Sequence, residues 1–211
     1  SAFFDEDGVS SFRLQTGEAV KLVYSIAQQA MLGFRFKERY PVEAVPFPYA
    51  EYWDISALPS TAGDPISKAA AGWLVKNARH HGDGSVTWPH NFDFVFTDGA
   101  DPVQAQWSSG IGQANALLAC LHLWRHAGGA GFKDLAEAAV MPFTRPLSVD
   151  KGIFYKISDD ASWFEEYPLA SPSHILNCQL LSHVALDYPR RLLNYDPAKG
   201  AFKKGLGGLK R

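Results

Sequence analysis

Ile111, Ala114, Leu117, Leu118, Leu121 and Trp124 recur at three- and four-residue steps, so a helix over this stretch carries one continuous apolar stripe that must be buried against something. Gly128-Gly129 stops it. The rest of the chain supplies partners of the same kind. Val20, Val23, Ile26, Ala27, Ala30 and Met31 repeat the spacing between Glu18 and Gly33. Asp64-Pro65-Ile66 offers an N-cap and a proline at the first helical position ahead of Ile66, Ala69, Ala70, Trp73 and Leu74, with Gly82 as a stop. A shorter helix runs from Phe132 to Val140 and closes at Pro142, and Ser171-Pro172 opens a long one through Leu181, Val184 and Leu186. Phe202 to Arg211 begins a further helical spacing and stops, which reads as a truncated ending.

The connections are aromatic and extended. Residues 39–59 are rich in proline and aromatics without helical period and read as a long loop. Gly84 to Phe96 is β-branched and aromatic, which favours extended structure or a hairpin. Gly152 to Ile157 and Ser162 to Tyr167 read as two strands around the turn Ser158-Asp159-Asp160-Ala161. Helices alternating with such connections suggest helical hairpins that bury their apolar faces on one another. The fold expected is mainly α: an incomplete α/α toroid of helical hairpins, with a small β-hairpin. The alternative is an irregular α-rich domain with a small sheet.

At 211 residues and 46% hydrophobic content the chain fits one domain, 1–211, with one sizeable core. A net charge of −2 gives no overall basic field for nucleic acid. Six Trp and eight Tyr suit stacking on sugar rings as well as packing. Cys120 and Cys178 fall inside apolar helical patterns and read as buried free thiols. No stretch reaches the roughly 18 apolar residues of a membrane span.

The most unusual segment is Trp163-Phe164-Glu165-Glu166-Tyr167-Pro168. Two adjacent carboxylates among aromatic rings place ionisable groups where desolvation raises a pKa into a useful range, with a phenol beside them. In a strand Glu165 and Tyr167 share one face and Glu166 takes the other, unless the approach to Pro168 twists the pair. The plainer reading is a hairpin edge with solvated glutamates and packed aromatics.

This motif, followed by Ser171-Pro172-Ser173 and Ile175-Leu176-Asn177, closely resembles the Trp-Tyr-Glu-Glu-Tyr-Pro…Pro-Ser-Ser…Leu-Asn signature of the D-glucuronyl C5-epimerase family. Trp107-Ser108-Ser109-Gly110-Ile111-Gly112-Gln113-Ala114 resembles the family segment that opens a toroid helix, and Tyr24 to Ala30 is similar to an earlier helix. The resemblance implies an α/α-toroid isomerase, without cofactor or metal, that inverts C5 of D-glucuronate to L-iduronate in a heparosan-type polysaccharide. It implies Glu166 and Tyr167 as the catalytic pair, with Trp163, Glu165, Gln113 and Trp107 at matching motif positions as substrate-binding candidates. The partner implied is an acidic, uronate-containing polysaccharide, and a homodimer is among the assemblies the resemblance allows. Eukaryotic members act in the Golgi lumen, and no Golgi anchor is read in this sequence.

The C5 proton lies beside a carboxylate and is weakly acidic, so its removal needs a positioned base and stabilisation of an enolate-like charge. Inversion needs a second group on the opposite face, expected to be a tyrosine supplied from elsewhere. Family members complete the site with further tyrosines and an arginine near the carboxyl end, for which Tyr188, Tyr195, Arg190 and Arg191 are candidates by residue type alone. A polysaccharide lyase is the near rival, because loss of the C4 substituent after the same abstraction breaks the chain. A glycan-binding remnant without a complete proton-transfer pair is the rival from another class.

Other features carry less. His122 and His126 share a helical face but lack a HExxH glutamate and an obvious third ligand. His80-His81 at a helix end is explained by the helix dipole. Asp98-Gly99-Ala100-Asp101 has the composition of an ordinary acidic turn as much as of a calcium loop. Gly205-Leu206-Gly207-Gly208 lacks the strand, lysine and helix order of a phosphate loop. Lys199, Lys203, Lys204, Lys210 and Arg211 make a basic tail that suits an acidic polymer or a solvated helix face equally.

Overall fold

The computed structural model describes residues 2–14, 16–33, 55, 58, 60–96, 102–128 and 130–210. The loop expected over 39–59 lies largely outside them, as does the acidic turn Asp98–Asp101. Among the described residues there are six helices: α1 (Val23–Leu32), α2 (Pro65–Asn77), α3 (Gly110–Ala127), α4 (Ala130–Val140), α5 (Leu176–Leu192) and α6 (Asp196–Leu209). Three small antiparallel sheets accompany them: β1 (Ala2–Phe4), β2 (Ser10–Arg13) and β3 (Ala19–Val20); β4 (Arg79–His80) with β5 (Val86–Thr87); and β6 (Phe154–Lys156) with β7 (Ser162–Phe164). The chain is thus mainly α.

Helix α3 is the centre of the packing. It meets α1, α4 and α5, while α2 lies on α1 and α6 on α5. The sequence suggested one apolar stripe, yet α3 is buried on nearly every side from Gly110 to Leu123. Its small residues Gly112, Ala114, Ala116 and Ala119 let neighbours approach closely, and the amide nitrogens of its buried Gln113 and Asn115 find partners. Asn115 Nδ2 donates to the Ile111 carbonyl at 2.9 Å, and Gln113 Nε2 donates to Val86 O at 2.9 Å and Ala139 O at 3.0 Å.

Several boundaries differ from the periodic pattern for identifiable reasons. Helix α1 begins at Val23, not near Glu18, because Ala19–Val20 pairs with β2. Asp64 caps α2 as the sequence indicates, its Oδ1 accepting from Ile66 N at 2.8 Å and Ser67 N at 3.3 Å. That helix stops at Asn77, short of Gly82, because Arg79 and His80 enter a strand pair with Thr87 and Val86. Helix α5 starts at Leu176, not at Ser171-Pro172, since the N–H groups of Ser173 and His174 are engaged by Glu165 and His174 holds φ 47°. It then continues through Pro189 to Leu192. The ending is helical as its spacing indicates, and α6 begins as early as Asp196.

The glycines of α6 have a packing role. A Cβ at Gly205 would strike Phe164 and His183, and one at Gly208 would strike the Ser162 carbonyl, so α6 lies directly on β7. Gln179 of α5, fully buried, ties the three elements together. Its Oε1 accepts from Phe164 N at 2.7 Å, and its Nε2 donates to Gly205 O at 2.9 Å and Ser162 O at 3.3 Å. This clamp fixes the strand from which the Glu165-Glu166-Tyr167 segment departs.

Candidate active site

The β6–β7 ladder pairs Tyr155 with Trp163 and Phe154 with Phe164, and Glu165 N extends it by donating to Ile153 O at 2.8 Å. Strand alternation then separates the two glutamates. The Glu165 side chain is 0% exposed, and its carboxylate accepts from Ser173 Oγ at 2.8 Å, Ser173 N at 3.0 Å and His174 N at 3.1 Å. His174 Nε2 adds an ion pair at 3.4 Å when protonated. All of these partners belong to the turn before α5, so Glu165 is committed to holding that turn.

Glu166 points the other way, into the first turn of α3. Gly110 N donates to its carbonyl at 3.2 Å, Ser109 Oγ donates to Oε1 at 2.6 Å and Ile111 N donates to Oε2 at 2.6 Å. The Cys178 thiol, in the first turn of α5, is a further hydrogen-bond partner. Burial pushes the Glu166 carboxyl up to about 7, and the hydrogen bonds from Ser109, Ile111 and Cys178 pull against that rise. A helix N-terminus favours negative charge, so the carboxylate occupies the one end of α3 that can stabilise its ionised form. Burial, reinforced by the Glu166 charge, drives the Cys178 thiol well above its usual range, so it stays protonated.

Tyr167 leaves this carboxylate and lies on an aromatic platform. Its ring stacks on Phe94 at 4.8 Å and 14°, with Phe96 at 5.0 Å and Trp107 at 5.7 Å. Trp107 is fixed by its indole N–H, which donates to Phe92 O at 2.9 Å. Burial and then the Glu166 charge push the Tyr167 phenol up to about 12. A second phenol belongs to the same cluster: Tyr24, in the first turn of α1, is raised by burial and by the Glu166 charge, and it in turn acts on Tyr167.

The arrangement therefore joins a buried carboxyl that titrates near neutrality to two phenols that remain protonated there. A carboxyl near 7 is matched to proton abstraction at physiological pH, and a neutral phenol is matched to proton donation.

Of the residues singled out in the sequence, Glu166, Tyr167 and Trp107 come together here. Trp163, half-buried, lies on the Glu165 side of the strand with its ring 5.3 Å from His174. Gln113 is 2% exposed, and its amide group bridges Val86 and Ala139. Tyr188 is buried in the main core, Tyr195 Oη contacts Met141 Sδ at 3.7 Å, and Arg190 and Arg191 pair with Asp187. These four are occupied away from Glu166. Ser109, Cys178 and Tyr24 are the contributors that the sequence reading did not place. Ser109 carried a signal, an N-cap type just before an apolar helical run, whereas Cys178 and Tyr24 read as ordinary helical positions.

His122 and His126 approach with ring centroids 4.6 Å apart, and His122 Nε2 lies 3.4 Å from Thr61 Oγ1. Among the described residues no set of three His, Cys, Asp or Glu side chains gathers as a metal site. No helix among them is long and apolar enough to cross a membrane.

A family model described as D-glucuronyl C5-epimerase C-terminus matches residues 82–211, more than half of the chain and the whole of the segment that builds the Glu166 environment apart from Tyr24. The chain belongs to the D-glucuronyl C5-epimerase C-terminus family.

Proposed function

We propose that this chain carries the isomerase chemistry of a glucuronyl C5-epimerase, inverting C5 of D-glucuronate to L-iduronate within a heparosan-type polysaccharide. The observation that carries the reading is Glu166, held by Ser109 and Ile111 at the start of α3 and pushed up to about 7, with the protonated Tyr167 phenol next to it in the chain and under its charge. In this reading ionised Glu166 takes the C5 proton from one face, and the C–H electron pair passes into the substrate carboxylate as an enediolate. Tyr167 then gives its phenolic proton to C5 from the opposite face. The proton on Glu166 returns to the phenolate through solvent, which closes the cycle without any net change in the protein. Tyr24, a second neutral phenol on another element that feels the Glu166 charge, is the alternative to Tyr167 as the opposite-face donor.

The aromatic platform of Phe94, Phe96 and Trp107 under Tyr167 suits the apolar face of a sugar ring. The α/α-toroid arrangement is part of the same proposal, and the succession of α1, α3 and α5 against one another, with α2, α4 and α6 packed on them, accords with it.

The test is incubation with heparosan-type glycan in deuterated water, reading deuterium at uronate C5 by NMR. Incorporation is expected, and Tyr167→Phe should reduce conversion of glucuronate to iduronate by about a hundredfold or more, the range of a lost acid–base group, while glycan binding and exchange from the Glu166 face persist. Conversion to iduronate that Tyr167→Phe leaves unchanged would remove Tyr167 from the mechanism. A rise in ultraviolet absorbance from an unsaturated uronate would replace the isomerase with a lyase.

A further inference from the structure

A cleft with a volume of about 620 Å³ opens where the end of α2 meets β3 and the segment around Asn91 and Gln106. Its charge is one-sided. Lys21, Lys76 and Arg79 line it against one carboxylate, Glu18. Lys21 is engaged by Asp5, but no ion pair among the described residues holds Lys76 or Arg79. In a chain of net charge −2 this is a local concentration of cations, not a reflection of the whole.

The polar groups beside these cations are arranged by one another. Arg79 Nη2 donates to Gln106 Oε1, and Gln106 Nε2 donates to Asn91 Oδ1, so the guanidinium and both amides form one connected row. Gln106 holds φ 76°, a left-handed backbone that residues other than glycine rarely adopt and that concentrates at binding sites. Trp73 adds an indole on the α2 side. Cations for a carboxylate, amides for hydroxyls and an aromatic face for a pyranose ring are the groups that an acidic sugar requires.

The cleft also adjoins the candidate active site. Phe92 lines it and packs edge-on against Trp107 at 5.8 Å, and Trp107 lies 5.7 Å from Tyr167. One hydrophobic cluster, Phe92 and Trp107 with Tyr167 packed on it, therefore forms a wall common to both.

We propose that this cleft is a distal glycan subsite, in which Lys76 and Arg79 bind the carboxylate of a uronate in the same chain as the sugar presented to Glu166. The proposal rests on the epimerase reading above for the identity of the glycan, and on the cleft's own residues for the place where it binds. Its function is to hold a polymer in register, so that affinity grows with chain length and falls with salt.

The test is an NMR titration of the isotopically labelled full chain with a heparosan octasaccharide and with the same oligosaccharide after carboxyl reduction, for the wild type and for the Lys76→Gln/Arg79→Gln double variant. The acidic oligosaccharide is expected to shift the Trp73 indole and Arg79 side-chain resonances. The double variant should bind it about tenfold or more weakly while binding the reduced form as the wild type does, since charge-assisted hydrogen bonds are the ones removed. Equal affinity of wild type and double variant for the acidic form would overturn the subsite. Deuterium exchange at C5 in the same samples keeps the two claims apart. Exchange with no effect of the double variant leaves the epimerase reading and removes the subsite, whereas charge-dependent binding without exchange does the reverse.

Discussion

Ser109 Oγ donates to Glu166 Oε1 at 2.6 Å and itself accepts the Gly112 N–H at 2.8 Å, which makes the N-cap of α3 and the candidate base one hydrogen-bonded unit. Folding α3 and setting the acidity of Glu166 are then the same event. A carboxyl buried without that unit would be driven still further from its ordinary value, because burial is the largest influence on it and the hydrogen bonds are what opposes it.

The pH dependence of C5 exchange follows from this. Ionised Glu166 is the working form, so kcat/KM should rise with pH and level off above the carboxyl's value of about 7. Ser109→Ala removes a bond that favours the ionised form, so the inflection should move up by about one unit, with about 1 kcal/mol of stability lost from the missing cap. Deuterium incorporation measured from acid to alkaline pH gives both profiles. An inflection that stays in the ordinary carboxylate range would exclude Glu166 as the titrating base.

The same group makes the fold pH-sensitive. Its carboxyl is raised from 4.5 to about 7 on folding, so between those values the folded chain binds more protons than the unfolded one. The contribution to stability is complete below about pH 4.5, and it is lost as pH rises through about 7. Glu166→Gln abolishes this titration. The stability difference between variant and wild type should therefore shift in the variant's favour by about 3 kcal/mol between pH 4 and pH 8. Urea denaturation at the two pH values measures it, and a difference that does not change with pH would mean that Glu166 titrates alike in both states.

The sequence made the helices legible because periodicity and end signals act locally: Asp64-Pro65 caps α2 where expected, and the stripe from Ile111 marks α3. It misplaced the ends that long-range pairing decides. Residues 19–20 leave the α1 pattern to join β2, and Ser173 and His174 leave the α5 pattern to bind Glu165. The motif around Glu166 was legible from its residue types, but the division of labour between the glutamates was not. That division depends on which element each side of the strand meets, the turn before α5 for Glu165 and the start of α3 for Glu166. Tyr24 was legible only as part of a helix, because a tyrosine there acquires its significance only when α1 is brought against α3.

Glu165→Gln should separate the two roles. The buried carboxylate accepts from Ser173 Oγ, Ser173 N and His174 N through the one oxygen Oε2, so an amide oxygen in its place accepts them without the negative charge, and the amide nitrogen in place of Oε1 no longer pairs with a protonated His174. Exchanging charge-assisted hydrogen bonds for neutral ones at a buried site should lower stability by about 1–2 kcal/mol, visible as a fall in Tm. The folded fraction should keep its exchange inflection near that of the wild type, because the Glu166 hydrogen bonds are untouched. A displaced inflection would show that the two carboxylates act together.

Gly110→Ala tests whether the close approach of α3 to the motif is what sets the site. Replacing glycine by alanine within a helix ordinarily stabilises by up to about 1 kcal/mol. Here the added Cβ would meet the Glu165 carbonyl oxygen and Cys178 Sγ, and neither the strand backbone nor a fully buried thiol can move aside cheaply. The start of α3 must withdraw instead, which overpacking places at about 1–3 kcal/mol of lost stability. Withdrawal would lengthen the bonds from Ser109 Oγ and Ile111 N to Glu166 while leaving the carboxyl buried, so its pKa should rise further and exchange at neutral pH should fall as fewer molecules hold it ionised. Stability from denaturant unfolding and the exchange profile should therefore move together, the first downward and the inflection to higher pH. A variant that is more stable than wild type, with its inflection unmoved, would show that the contact between Gly110 and the Glu165 carbonyl places no constraint on the site.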